Sequence, residues 1–322
     1  MTPPAPRYRH CMLATCCVPW REDHSFDEST FRRQTQHLLA GGLRDLYIFG
    51  TAGEGYAVTD SQFNAVTRAF LDETALDGVQ TMIGLISLSL PVIIERIERA
   101  RAMGATRFQI SLPSWGTLTD PELDAFFSET CGRFPECEFL HYNLPRAGRL
   151  LNPGDYARLA ERHPNLVATK NSTRDVNRLR GLLHEAPKLR HFVTEPGFAA
   201  ATAIGPCGLL VSVAGSNLAL AHEFFNAALR QDHAALASLS AEAESLVTDL
   251  LALVDGRAHM DGAFDKLFIR LNLPGFPLRL LPPYSSLTDS ALEHFARLLA
   301  EKYPRWSPAG SLPASPRVHG AP

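Results

Sequence analysis

Apolar residues fall into short runs, each followed by a longer stretch in which they recur every three or four positions. "MLATCCVP" (12–19) precedes "FDESTFRRQTQHLLAGG", "LYIFG" (46–50) precedes "TDSQFNAVTRAFLDETA", and "QTMIGLI" (80–86) precedes "SLPVIIERIERARAMG". The alternation continues with "RFQISLP" (107–113), "CEFLHYN" (137–143), "LVATK" (166–170), "HFVTE" (191–195) and "GLLVSV" (208–213), each with its helical partner. Runs of this length bounded by turn residues predict strands, and the 3.6-residue period predicts amphipathic helices. The helical stretches tend to open on Asp, Ser, Thr or Asn and to close near Gly or a basic residue, as capping requires. Strand–helix alternation implies parallel strands joined by right-handed crossovers. Eight such units end near Gln231. Six would suit an open doubly wound sheet; eight in about 230 residues predict a closed (β/α)8 barrel, the TIM-barrel architecture.

Beyond Gln231 the strand signal stops. "HAALASLSAEAESLVTDLLALV", "DGAFDKLFIRLN" and "LTDSALEHFARLLAEKY" predict a three-helix extension over 232–305. It is expected on the side of the barrel or at an oligomer surface. Residues 306–322, rich in Pro, Ser, Gly and Ala, are expected to be a disordered tail. The barrel over 1–231 is expected to carry the active site.

Composition narrows the function classes. A hydrophobic fraction of 45% is enough for a large core. A net charge of −3 argues against nucleic acid and against an anionic membrane surface as partners. No apolar window approaches the ~20 residues of a membrane span, and no secretory h-region follows the N-terminal arginines. Six cysteines without paired spacing point to free thiols, a reducing cytoplasmic setting and no zinc site.

Candidate chemistry belongs at the C-terminal ends of the barrel strands. The chain has four lysines against twenty-seven arginines, and one of them, Lys170, ends the sixth strand. Strand alternation places Leu166, Ala168 and Lys170 on one face, with the small Ala168 leaving room for an inward stem. A partly desolvated lysine offers a neutral amine that can attack a ketone to form an imine. A rim lysine reaching out to water fits the same pattern. Tyr142 ends the neighbouring fifth strand, where a phenol could move protons or could simply be a core tyrosine. "GTAGEG" (50–55) offers Thr51 and unpaired amides ahead of a helix, a cradle for a carboxylate. Glu54 is expected to brace that loop. Lys188, Lys266 and Lys302 lie in a bottom loop and in the extension, away from the site.

These stretches together resemble one family. "FGTAGEGYAVT", "HYNLPRAG" and "VATKNSTRDV", with weaker echoes in "SVAGSN" and "GFPLRLLPPYSSLT", are similar in order and spacing to the dihydrodipicolinate synthase / N-acetylneuraminate lyase family, from about Met12 to Tyr303. The resemblance implies a metal-free, cofactor-free Schiff-base lyase or aldolase, usually a tetramer or dimer. Lys170 would form the imine with pyruvate or another 2-oxo acid, and Tyr142 would shuttle protons. Thr51, with the Ala52 and Gly53 backbone, would hold the 2-oxo acid's carboxylate, and Val211 would line the pocket.

Departures from the family pattern matter too. Ala52 stands where a second hydroxyl is usual. Trp115 stands where the synthases carry a relay tyrosine, and an indole N–H can donate but cannot shuttle a proton. "YNLPRAG" is one residue short, so either Arg146 or Arg149 could meet the second substrate. These differences point away from the lysine-biosynthesis synthase and toward relatives that join or cleave a 2-oxo acid and an aldehyde. Trp115 could stack on an acceptor or pack at a subunit contact. Two rivals remain: a 2-keto-3-deoxy sugar acid dehydratase using the same lysine, and a non-catalytic binding protein on the same barrel.

Overall fold

The computed structural model describes residues 5–308. Eight parallel strands close into a barrel in chain order: β1 (Met12–Thr15), β2 (Asp45–Ile48), β3 (Gln80–Gly84), β4 (Arg107–Ile110), β5 (Glu138–Asn143), β6 (Leu166–Asn171), β7 (Arg190–Thr194) and β8 (Gly208–Val211). The ring shuts where β1 pairs with β8, Ala14 opposite Val211. A helix follows each strand, from α1 (Glu28–Ala40) and α2 (Asp60–Glu73) to α7 (Glu195–Ile204) and α8 (Leu218–Leu229). Three more helices form the extension: α9 (His233–Val254), α10 (Asp261–Asn272) and α11 (Asp289–Lys302). The predicted (β/α)8 barrel with C-terminal helices is the fold observed. No helix among the described residues is long and apolar enough to cross a membrane.

The strand period builds two cores. Leu13, Tyr47, Met82, Leu140, Ala168, Phe192 and Leu210 fill the barrel interior. Alternate residues such as Ile48, Phe108, Phe139 and Val193 join the shell between strands and helices. The bottom of the barrel is plugged from the N-terminal segment. Tyr8 Oη donates to Asp45 at 2.8 Å, and the Arg9 guanidinium grips the same carboxylate at 2.6–2.9 Å.

One expectation about β6 is corrected. β5 pairs Phe139 with Leu166 and then Leu140 with Ala168, so β6 carries one extra residue, a bulge at Val167. Leu166 therefore packs in the outer shell, while Val167 and Ala168 both join the interior. Above the bulge alternation resumes, and Lys170 projects inward over Ala168.

The C-terminal boundary also moves. A 3-10 turn at Pro304–Trp306 buries the Trp306 indole completely. Its carbonyl accepts from Ser216 at 2.7 Å and its Nε1 donates to Glu242 at 3.0 Å. Trp306 is thus part of the fold. The rest of the expected tail, from residue 309, lies outside the described residues.

Candidate active site

Register places the two central residues side by side, since Tyr142 on β5 is the direct partner of Lys170 on β6. One residue further along both strands, Asn143 Nδ2 donates to Asn171 Oδ1 at 3.0 Å and to the Leu151 carbonyl at 3.0 Å, which locks the two strand ends together. Lys170 is 4% exposed. Its Nζ donates to Tyr47 Oη at 3.0 Å and lies 3.9 Å from the Tyr142 ring centroid. No carboxylate among the described residues comes within ion-pair distance of it. Burial therefore dominates and brings its pKa down to about 8, while Asp261 and Asp265 pull it back up. The ring faces of Tyr47 and Tyr142 offer the cation only weak compensation.

Burial raises the pKa of both phenols. Thr51 Oγ1 reaches Tyr142 Oη at 3.5 Å. The loop bearing Thr51 leaves β2 through Phe49, a non-glycine residue at φ 57°. Gly53, Gly55 and Gly84 crowd the Phe49 backbone so closely that a Cβ on any of them would come within 2.2–2.6 Å of it. Gly53 therefore has a packing reason, and it lines neither cavity described below. Glu54 and Gly55 donate back to Thr51 and Gly50, whereas the Thr51, Ala52 and Gly53 amides meet no acceptor among the described residues. The expected cradle is thus a free-standing turn. It is not a helix N-terminus, because α2 begins only at Asp60 behind its own Thr59 cap.

A cavity of about 70 Å³ opens beside Lys170, bounded by Tyr47, Ala52, Tyr142, Val211, Asp261 and Asp265 among others. Above it lies a cavity of about 450 Å³ at the barrel mouth, lined by Thr51, Trp115, Arg146, His259 and Tyr284 among others. Trp115 is 90% exposed there. Arg146 donates to Asp261 Oδ1 at 3.3 Å and to the His259 carbonyl at 3.2 Å, so this ion pair links the two spaces. Arg149 is turned away. It holds the Leu118 carbonyl at 2.8 Å and Asp120 at 2.5 Å, and it lines neither cavity.

Strand-end residues Thr51, Ala52, Tyr142, Lys170 and Val211 thus converge as their positions imply. Tyr47, Asp261 and Asp265 were missed. Tyr47 has the inward parity of β2, a signal visible in "DLYI". The two aspartates have helical i, i+4 spacing, but nothing local says that α10 lies over the mouth. Glu195 was missed as well: fully buried, it accepts from the Ser212 and Ala214 amides at 2.7 and 3.0 Å and shapes the turn after β8.

The fold is thus a closed parallel (β/α)8 barrel with a desolvated lysine among phenols at the end of its sixth strand. The comparisons sharpen this to a family. The sequence matches the profile of the Dihydrodipicolinate synthetase family over residues 9–302, and the chain belongs to that family. It is 29% identical over 170 residues to the 4-hydroxy-tetrahydrodipicolinate synthase of Thermus thermophilus, a match covering 52% of this chain and 56% of that one. The Xanthomonas campestris protein of the same name is 28% identical over 217 residues, 66% of this chain and 70% of its own. Matches to these curated relatives thus span about half to two-thirds of their length. Among solved structures, a prophage protein of the dihydrodipicolinic acid synthase family from E. coli K12, in complex with pyruvate, superposes with a TM-score of 0.81 at 19% identity. That match covers 90% of this chain and 97% of that one. The Ruminococcus gnavus sialic acid aldolase, a catalytic lysine mutant, gives 0.80 at 15% identity, covering 93% and 98%.

Proposed function

We propose that this protein is a Schiff-base lyase that joins or cleaves a 2-oxo acid, such as pyruvate, and an aldehyde. The carrying observation is Lys170: an amine 4% exposed, without a carboxylate in contact, whose pKa burial brings down to about 8. A useful fraction of neutral amine is then present near neutrality, where an exposed lysine would be almost wholly protonated. Attack on the ketone carbon yields an imine that acts as an electron sink for bond making or breaking at the adjacent carbon. The 2-oxo acid's carboxylate would rest on Thr51 Oγ1 and the unpaired amides of the 51–53 turn, a substitute for the hydroxyl absent at Ala52. Tyr142, between Lys170 and Thr51, would hydrogen-bond the developing alkoxide. The second reactant would occupy the outer cavity, with Trp115 as a stacking platform and Arg146 as its cation. The pyruvate-bound fold neighbour supports the choice of 2-oxo acid.

Borohydride reduction in the presence of pyruvate, with the adduct mapped by mass spectrometry, tests this reading. Label confined to Lys170 is expected. Absence of label, or label on Lys188, Lys266 or Lys302, would overturn it. Product analysis then sorts the reaction type: 4-hydroxy-tetrahydrodipicolinate marks the synthase of the named relatives, a free aldehyde marks an aldolase, and release of water from a deoxy sugar acid marks a dehydratase. Tight ligand binding without turnover would mark a binding protein.

A further inference from the structure

Two carboxylates face Lys170 from outside the barrel. α10 lies across the mouth, so close that a Cβ on Gly262 would come within 2.9 Å of the Ala52 carbonyl oxygen. Asp261 and Asp265, four residues apart, share one helical face and line the inner cavity together with Lys170. They are not equivalent. Asp261 is tied to Arg146 at 3.3 Å. Asp265 takes no hydrogen bond and no ion pair from any described residue. Its position is nonetheless rigid, because the next residue, Lys266, is locked to Glu54 at 2.5 Å with both side chains fully buried. Asp265 is partly exposed, and it presents a carboxyl with no protein partner among the described residues to the same cavity that Lys170 lines.

The titratable groups around it come from five elements besides its own helix. They are Lys170 on β6, Tyr47 on β2, Tyr142 on β5, Glu195 at the start of α7 and Cys17 after β1, with Asp261 one turn back. Burial, and then Asp261, push the Asp265 carboxyl up to about 8, against the pull of Lys170. Acid and amine therefore titrate over the same range and together hold about one proton near pH 8.

We propose that Asp265 is the acid that completes imine formation at Lys170, giving its proton to the departing carbinolamine hydroxyl. This rests on the Schiff-base reading above. The step balances: the neutral Lys170 amine adds to the carbonyl carbon as the C=O π pair moves to oxygen, and one N–H proton passes to that oxygen, giving the neutral carbinolamine. Its C–O bond then breaks, the oxygen leaves as water with the Asp265 proton, and the nitrogen lone pair forms the C=N bond. An iminium cation and the Asp265 carboxylate remain, both lining the one cavity, so the charge formed on nitrogen is met by an opposite charge nearby. Tyr142 is less suited to this step, because burial binds its phenolic proton more tightly still.

Rapid-quench borohydride trapping of pyruvate, between about pH 6 and pH 10, tests the assignment on the full chain and on Asp265→Asn and Asp265→Glu variants. In the unsubstituted protein trapping should rise with pH as Lys170 loses its proton and fall again as Asp265 loses its own. Asp265→Asn should slow trapping on the order of 10²-fold, abolish the alkaline fall and move the acid-side rise to lower pH, since a negative charge beside the amine is gone. Lys170 should still become fully labelled at long times. Asp265→Glu should recover part of the rate and restore an alkaline fall. Should Asp265→Asn not fold, the glutamate variant decides, because an alkaline limb identical to that of the unsubstituted protein would overturn the assignment. Trapping by Asp265→Asn that is as fast as in the unsubstituted protein, or slower with its alkaline fall intact, would also overturn it. If the unsubstituted protein itself shows no adduct on Lys170, the Schiff-base reading fails and this proposal fails with it.

Discussion

Two of the four lysines are buried within one barrel mouth, and they live under opposite conditions. Lys266 is fully buried, and its ammonium meets Glu54 Oε1 at 2.5 Å and the Arg279 carbonyl. Glu54 is equally occupied, taking Trp20 Nε1 at 2.9 Å and the Leu281 amide at 2.6 Å. This knot ties the turn after β2 to α10 and to the segment beyond it, across more than 200 residues of chain. Lys170 is nearly as buried, but its company is a phenol oxygen and two ring faces. Burial alone does not make a lysine reactive. What separates a fastener from a candidate nucleophile is whether a carboxylate touches the amine.

Four experiments would break or sharpen that contrast. Lys170→Ala should lower turnover by about 10⁴-fold or more while leaving the melting temperature unchanged or higher, because removal of a buried amine relieves a desolvation cost. Full turnover, measured by steady-state kinetics, would remove Lys170 from the chemistry. Lys266→Met should act on stability instead. It strands the Glu54 carboxylate and should cost about 3–5 kcal/mol, read by denaturant unfolding. A Glu54→Gln/Lys266→Met double variant should recover much of that loss, and failure to recover it would show that the pair does more than neutralise charge. Tyr142→Phe should lower kcat by about 10²-fold and leave folding intact; an unchanged kcat would reduce Tyr142 to a packing residue. Tyr47→Phe is the mildest. It removes the oxygen that accepts the lysine's N–H, which disfavours the charged form, so the acid-side limb of the activity profile should move to lower pH. The sign follows because neutral amine is the reactive form and then appears at lower pH. A shift to higher pH would assign Tyr47 another role.

Much of this protein could be read from periodicity. Eight short apolar runs interleaved with period-3.6 stretches give a closed parallel barrel, since parallel strands need crossovers and eight units suffice for closure. Lys170, Tyr142 and Thr51 were legible as candidates because strand ends have a known place in that architecture, whereas Val211 was named only through the family resemblance. The bulge at Val167 was not, since a bulge is decided by pairing with β5 and leaves no mark in a short apolar run. Arg146 and Arg149 could not be told apart from three residues of spacing; the acids each arginine meets, Asp261 and Asp120, separate them. Trp306 was taken for tail because its partners, Ser216 and Glu242, are far away in sequence.

The sequence by itself determined the barrel, the helical extension and the lysine at the sixth strand's end, because these depend on local periodicity and on the geometry of parallel strands. Only the tertiary structure decided what that lysine meets. Asp261 and Asp265 come from a helix about 90 residues away, and the phenols come from two other strands. Their convergence excludes water from Lys170, and an amine's proton affinity depends on that exclusion and on the charges left nearby.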